Sequence, residues 1–229
     1  MILSLETSTK AFSVSLFRNH EAANRNDEAA NRDDEVANRN HELANIELIH
    51  DVAHSQNIVS IVDFLLKSID TSIKDISEIY AGNGPGSFTG IRIGLSFANT
   101  ILQTMNIPLL GIPSLDLLAF DHDRWYNSVI TYIKSRKNEV YTASYRNGRR
   151  TSDYLALKKE DFLNFVKEHT PVYLISSEDD YRDLSFEKGE FKGEVVFTFP
   201  QARNAYIFAQ RCNLKPEKGY LKPLYVRDF

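Results

Sequence analysis

A glycine-rich run carries the strongest chemical signal in the sequence: Gly82-Asn-Gly84-Pro-Gly86-Ser-Phe-Thr-Gly90-Ile-Arg-Ile-Gly94. It follows a stretch of strand character and opens one of helical periodicity. Such a turn can present backbone N–H groups and a positive helix end to an anion. It is not a P-loop, because no Gly-Lys-Ser/Thr follows at the required spacing, and Ser87 stands where a dinucleotide fingerprint needs its third glycine. Pro85 also removes one donor. The spacing supports packing as well. Gly90, Gly94 and Ala98 recur every four residues and make a smooth helix face for close packing against another element. Packing is the favoured reading, with Thr7, Ser8, Gly84, Gly86 and Ser87 as weak anion-site candidates.

The other reactive side chains are less organised. His50 and His54 have helical metal-ligand spacing. Yet the first ends a predicted strand, the second opens a predicted helix, and no third ligand lies nearby. Ser8, Ser87 and Cys212 are nucleophile types without a neighbouring base in sequence. Lys134, Arg136, Lys137, Arg146, Arg149 and Arg150 would reach phosphate, but a solvated hairpin accounts for them equally. The residues thus assign no catalytic group and no metal site.

The elements that must position these groups alternate along the chain. Residues 1–5, 11–17 and 46–49 read as strands, with Glu6-Thr-Ser-Thr-Lys10 as the first turn. Residues 54–69 read as a helix whose apolar positions (Ile58, Ile61, Val62, Leu65 and Ile69, widened by Val59, Phe64 and Leu66) exceed one stripe. A strand at 78–82, a second long helix at 87–105 and a strand at 108–111 follow. A helix from 113 has Ser114 as candidate N-cap. Beyond 128 the pattern is a strand pair (128–134, 139–145), a helix at 161–168, strands at 172–175 and 194–199, a helix at 201–212 and an extended end. This alternation predicts an α/β fold with mixed sheets in two related lobes, divided as residues 1–106 and 107–229.

Composition narrows the function classes. The 229 residues are 42% hydrophobic and 25% charged, as in ordinary globular chains. No apolar run approaches the ~20 residues that span a bilayer, so no membrane association is expected. The N-terminus reads as a strand and not as a signal peptide. One cysteine fits a reducing cytoplasm. A net charge of -4 disfavours unaided nucleic-acid binding, so any RNA would be held chiefly by a partner.

Residues 18–45 hold four copies of a heptad, RNHEAAN, RNDEAAN, RDDEVAN and RNHELAN. Deleting 18–38 joins Phe17 to Arg39 and restores a plausible hairpin, so three copies read as an insertion at its tip. An odd period cannot hold one strand face, whereas it keeps a helical stripe of Ala22, Ala29, Val36 and Leu43. A bent helical excursion or a mobile, functionally neutral loop is expected. A partner-binding arm is the competing reading, and self-association through the heptads is a further one.

These residues also carry a family resemblance. Ile2-Leu-Ser-Leu-Glu-Thr-Ser-Thr9, His54-Ser55, Gly84 to Gly94, Gly111-Ile-Pro-Ser-Leu-Asp116 and Pro223-Leu-Tyr-Val-Arg227 resemble, in order, the TsaB (YeaZ) family of non-catalytic TsaD paralogues. The heptad expansion departs from that pattern. The resemblance implies an actin-like, Hsp70-like (ASKHA) two-lobed fold. It implies a bacterial cytoplasmic subunit, not itself an enzyme, that works with TsaD and the ATPase TsaE. Together these form threonylcarbamoyladenosine next to the anticodon of tRNAs reading codons that begin with A. Metal, ATP and threonylcarbamoyl-adenylate would belong to the complex, with no cofactor held tightly by this chain. tRNA would be met through the complex, and homodimers would form. The resemblance also implies that the doubly apolar helices pack on TsaD, with His54, Ile58, Ile61, Leu65, Phe97, Ile101 and Met105 in the interface. On that reading a charge at Leu65 would weaken TsaD binding and spare the fold. The alternative is an autonomous actin-like ATPase or a metalloprotease-type enzyme. The lack of glycine in Glu6–Lys10 argues against the first.

Overall fold

A computed structural model describes residues 1–19, 41–49, 58–120, 122, 126–169, 172–177 and 193–226. Two mixed sheets form its frame. The first holds β1 (Ile2–Glu6), β2 (Ala11–Phe17), β3 (Glu42–Ile49), β4 (Glu78–Gly82) and β5 (Leu109–Ile112), in the order β3-β2-β1-β4-β5. The second holds β6 (Ser128–Lys134), β7 (Glu139–Arg146), β8 (Arg149–Arg150), β9 (Leu155–Lys158), β10 (Tyr173–Ser176) and β11 (Val195–Phe197). Its order is β11-β10-β6-β7-β8, with β9 also on β7. Each sheet joins an antiparallel meander to two parallel strands, because β1 pairs β4 and β6 pairs β10 in parallel. The two lobes therefore share one plan, as the alternation predicted.

Among the described residues five α-helices cover the sheets: α1 (Ile58–Lys67), α2 (Phe88–Met105), α3 (Ser114–Phe120), α4 (Lys159–Glu168) and α5 (Ala202–Arg211). Period two along the strands divides the cores. Leu3, Leu5, Val14, Leu16 and Ile79 face α1 and α2, whereas Ile2, Phe17, Tyr80 and Ile112 face α3 and α5. In the second sheet Val129 and Ile133 face α3, and Ile130 and Tyr132 face Phe162 and Val166 of α4. The helices that close the two lobes are exchanged. α3 follows the first sheet but packs on β6, β7 and β10, and α5 follows the second sheet but packs on β1, β2 and β4.

Three expectations change. The first lobe does not end at 106, because β5 hydrogen-bonds to β4 and is the edge of the first sheet. The third strand begins within the last heptad copy. Ala44 pairs with Leu16 and Glu42 with Phe17, and Arg18 N–H donates to the His41 carbonyl at 2.9 Å. Leu43 and Ala44 therefore lie in a strand and not on a helical stripe, since β2 offers them a ladder that a helix would leave unpaired. Residues 20–40 and His50 and His54 lie outside the described residues. Third, Ser114 opens α3 without a capping role. Its hydroxyl donates to Glu6 Oε2 at 3.1 Å and accepts the Gly84 N–H at 3.3 Å. Among the described residues no helix is long and apolar enough to cross a membrane.

Candidate functional site

The β1–β2 turn is where an actin-like phosphate loop would lie. Here it is covered. Thr7 is 1% exposed and Ser8 is fully buried. The cover is the glycine face of α2. A side chain at Gly90 would strike the Thr7 carbonyl, one at Gly94 the Thr7 hydroxyl, and one at Gly86 the Ser8 carbonyl. The contacts are polar as well as tight. The Thr7 hydroxyl donates to the Gly90 carbonyl at 2.8 Å, and Ser87 N–H donates to the Ser8 carbonyl at 2.6 Å. Only residues without Cβ allow a helix so close to a turn. The glycine spacing is thus a packing device, with Ala98 fully buried one turn further on.

Glu6 lies at the centre of this contact. Its Oε1 accepts Ser8 N–H at 2.5 Å and its Oε2 accepts the Ser114 hydroxyl. Burial pushes its pKa above the usual carboxylate range, against the opposing pull of these hydrogen bonds. A side chain at Gly82 would overlap the carboxyl. The carboxylate is therefore tied into the interior, with its acceptors spent on the turn and on α3.

The weak anion-site candidates divide on this geometry. Thr7, Ser8 and Gly84 are buried, which contradicts them as an accessible site, whereas Gly86 is half-buried and Ser87 exposed. Gly84 adopts a left-handed φ of 100°, and its carbonyl accepts Ser114 N–H at 2.7 Å. Ser87 caps α2 through a hydrogen bond from Gly90 N–H at 3.2 Å.

The predicted interface also divides. Leu65 is 3% exposed, and Ile58 and Ile101 are buried with it in the core against β2 and β4. Those three assignments are corrected: the residues belong to the inward stripes of α1 and α2. Ile61, Phe97 and Met105 are partly buried at the edge of that core. The outward apolar residues of α1 are Val59 and Phe64, 65% and 64% exposed. Helical periodicity predicted more than one apolar stripe on this helix, but periodicity alone did not say which stripe turned outward.

The basic run is not one cluster. Lys134, Arg136 and Lys137 lie at one end of the β6–β7 pair, and Arg146, Arg149 and Arg150 at the other, where Arg146 pairs with Ser128. Cys212 is exposed at the end of α5. Among the described residues no group of three or more His, Cys, Asp or Glu is placed to hold a metal ion.

Sequence reading missed a buried constellation at Asp116. Its two carboxylate oxygens accept the Tyr145 and Tyr154 hydroxyls, both at 2.7 Å. Burial raises the Asp116 pKa, and the tyrosine hydrogen bonds oppose the rise. The guanidinium of Arg150 sits 4.1 Å above the Tyr154 ring. This ties α3 to the second sheet. The partners lie about 30 and 40 residues away, so no local spacing could reveal them.

Comparison with known proteins places this architecture. Residues 47–199, more than half of the chain, match the family described as TsaD, tRNA N6-adenosine threonylcarbamoyltransferase. The tRNA threonylcarbamoyladenosine biosynthesis protein TsaB of Bacillus subtilis is 34% identical over 97 residues, 42% of either chain. Its namesake in Escherichia coli is 35% identical over 97 residues, 41% of either chain. The match thus spans about two fifths of these two relatives. The TsaB of Buchnera aphidicola from Schizaphis graminum is 25% identical over 71% of this chain and 80% of its own. Among solved structures, YeaZ from Pseudomonas aeruginosa superposes with a TM-score of 0.73 at 20% identity over 98% of both chains. A second structure, described as an uncharacterized protein with similarity to peptidase YEAZ from the same organism, reaches 0.75 at 22% identity over 99% of both. These two likenesses speak to the fold. With two mixed sheets on one plan, a glycine face sealing the first turn and a family match across most of both lobes, the chain belongs to the TsaD family and stands there with the TsaB (YeaZ) proteins.

Proposed function

We propose that the chain is a non-catalytic scaffold and activator of a cytoplasmic complex with TsaD and TsaE. That complex forms threonylcarbamoyladenosine next to the anticodon of tRNAs reading codons that begin with A. The observation that carries this reading is the burial of Thr7 and Ser8 beneath α2. A phosphate loop must offer free N–H groups to its ligand, and here Ser8 N–H is bound to Glu6, the Ser8 carbonyl accepts Ser87 N–H, and the Thr7 hydroxyl donates to the Gly90 carbonyl. The metal, ATP and threonylcarbamoyl-adenylate chemistry falls to the partners, and tRNA is reached through them. TsaD docks on the outward side of α1 and α2, where Phe64, Ile61 and Phe97 offer an apolar surface. The net charge of -4 suits a subunit that leaves RNA to others.

Reconstitution tests the reading. This chain alone, TsaD alone, and both with TsaE are supplied with tRNA, threonylcarbamoyl-adenylate and ATP. Modified adenosine is expected only when both this chain and TsaD are present. Modification, ATP turnover or peptide hydrolysis by this chain alone would instead establish it as an enzyme.

A further inference from the structure

Helix α3 stands between the two sheets in sequence, and its seven residues reach both cores. Its apolar side chains divide by sheet, with Leu117 and Phe120 in the first core and Leu115 and Leu118 in the second. Apolar contact is non-directional. It holds the sheets to the helix without fixing the angle between them.

The first turn of α3 is built differently. Ser114 and Asp116 are two residues apart, and opposite lobes grip them. Ser114 is fully buried. The first lobe holds it three ways: its hydroxyl donates to Glu6 at the end of β1, that hydroxyl accepts the Gly84 N–H, and its own N–H donates to the Gly84 carbonyl. The second lobe holds Asp116 two ways. Tyr145 of β7 donates to one carboxylate oxygen, and Tyr154, just ahead of β9, donates to the other. Neither ring is free to swing, because Tyr145 is buried and the Arg150 guanidinium covers Tyr154. Hydrogen bonds weaken steeply as they bend. Five of them on one turn therefore fix a direction that the apolar contacts leave open. Burial sharpens the constraint, since a polar group pulled off its partner here finds no water in exchange. The helix is only ~10 Å long at 1.5 Å per residue, so its first turn sets the course of the whole element.

We infer that Ser114 and Asp116 form a polar latch that sets the angle between the lobes and makes them move as one rigid body. The latch specifies orientation and adds little to stability, because removing both sides of a buried polar contact together is nearly neutral. The inference does not depend on the role of the chain in tRNA modification.

Pulsed electron-spin distance measurement on the full chain tests it. In a Cys212→Ser background, spin labels at Ser96→Cys on α2 and Glu168→Cys on α4 report one lobe against the other, and all three positions are exposed. With the latch intact, one narrow distance distribution is expected. The triple variant Asp116→Val/Tyr145→Phe/Tyr154→Phe removes both sides of the second-lobe grip with little change of shape. Its distribution should widen at least about twofold or split in two, while the melting temperature stays within about 5 °C. Val62→Ala opens a cavity in the first core, on α1 and away from the latch. It should do the reverse, lowering the melting temperature and leaving the distribution narrow. Ser114→Ala loosens the first-lobe grip and should also widen the distribution. A narrow distribution in both latch variants would overturn the proposal, and so would a broad one with the latch intact. Loss of folding in the triple variant would overturn the separation from stability, and Ser114→Ala then decides the latch.

Discussion

Single residues show why the glycine-rich run is where it is. At Gly90 a methyl group would strike the Thr7 backbone, which cannot turn aside as a side chain can. Alanine normally favours a helix over glycine by about 1 kcal/mol. Here overpacking, at roughly 1–3 kcal/mol, should win, so Gly90→Ala should lower stability in denaturant unfolding while Ser96→Ala, on the exposed side of α2, does not. Glu6 supplies a pH test. Its folded pKa is raised above the ordinary 4.5 by burial. Between the unfolded and folded values the native state holds the extra proton, so this group costs stability as pH rises from about 4.5 through the folded pKa. Glu6→Gln removes that dependence. The stability of the unaltered chain relative to Glu6→Gln should therefore fall as pH rises through this window. A difference that stays flat, or grows in the other direction, would mean that the carboxylate is ionised at no cost in the fold.

At the scale of elements, the proposed docking of a partner turns on α1. Phe64 and Leu65 are adjacent, but they point to opposite environments because a helix advances about 100° per residue. A charge at Leu65 would be buried without a partner, at a cost of several kcal/mol, and should unfold the chain. Phe64→Asp should shift stability by no more than about 0.5 kcal/mol and weaken TsaD binding at least about tenfold, since exposed aromatic anchors dominate interfaces. Circular dichroism melting separates the two variants, and co-purification with TsaD reads the second. Retained TsaD binding in Phe64→Asp would move the docking surface off α1.

At the scale of the whole molecule, the exchanged helices make the lobes depend on each other. α5 lies over β1, β2 and β4, where Tyr206 meets Phe17 at 4.8 Å and Tyr80 at 5.4 Å between ring centroids. α3, between the two sheets in sequence, carries Leu117 and Phe120 toward the first core and Leu115 and Leu118 toward the second. Tyr206→Ala removes a buried ring and should cost about 3 kcal/mol. Both lobes should lose stability together, with thermal unfolding remaining one transition in calorimetry. Two separated transitions would show that the lobes fold independently.

The sequence by itself determined the order and type of nearly every element, because strand alternation, helical periodicity and turn residues are local properties of the chain. It also made the glycine face readable as a packing surface, since four-residue spacing places those positions on one side of any helix. It could not show that the surface packed against is the Thr7–Ser8 turn, that Ser114 serves Glu6 in place of a cap, or that Asp116 is held by two tyrosines. Nor could it tell the inward stripe of α1 from the outward one, or place β5 in the first sheet and α5 across it. Each of these joins residues from about 30 to about 200 positions apart. Tertiary structure alone decided them, because which face is buried depends on what the rest of the chain brings to it.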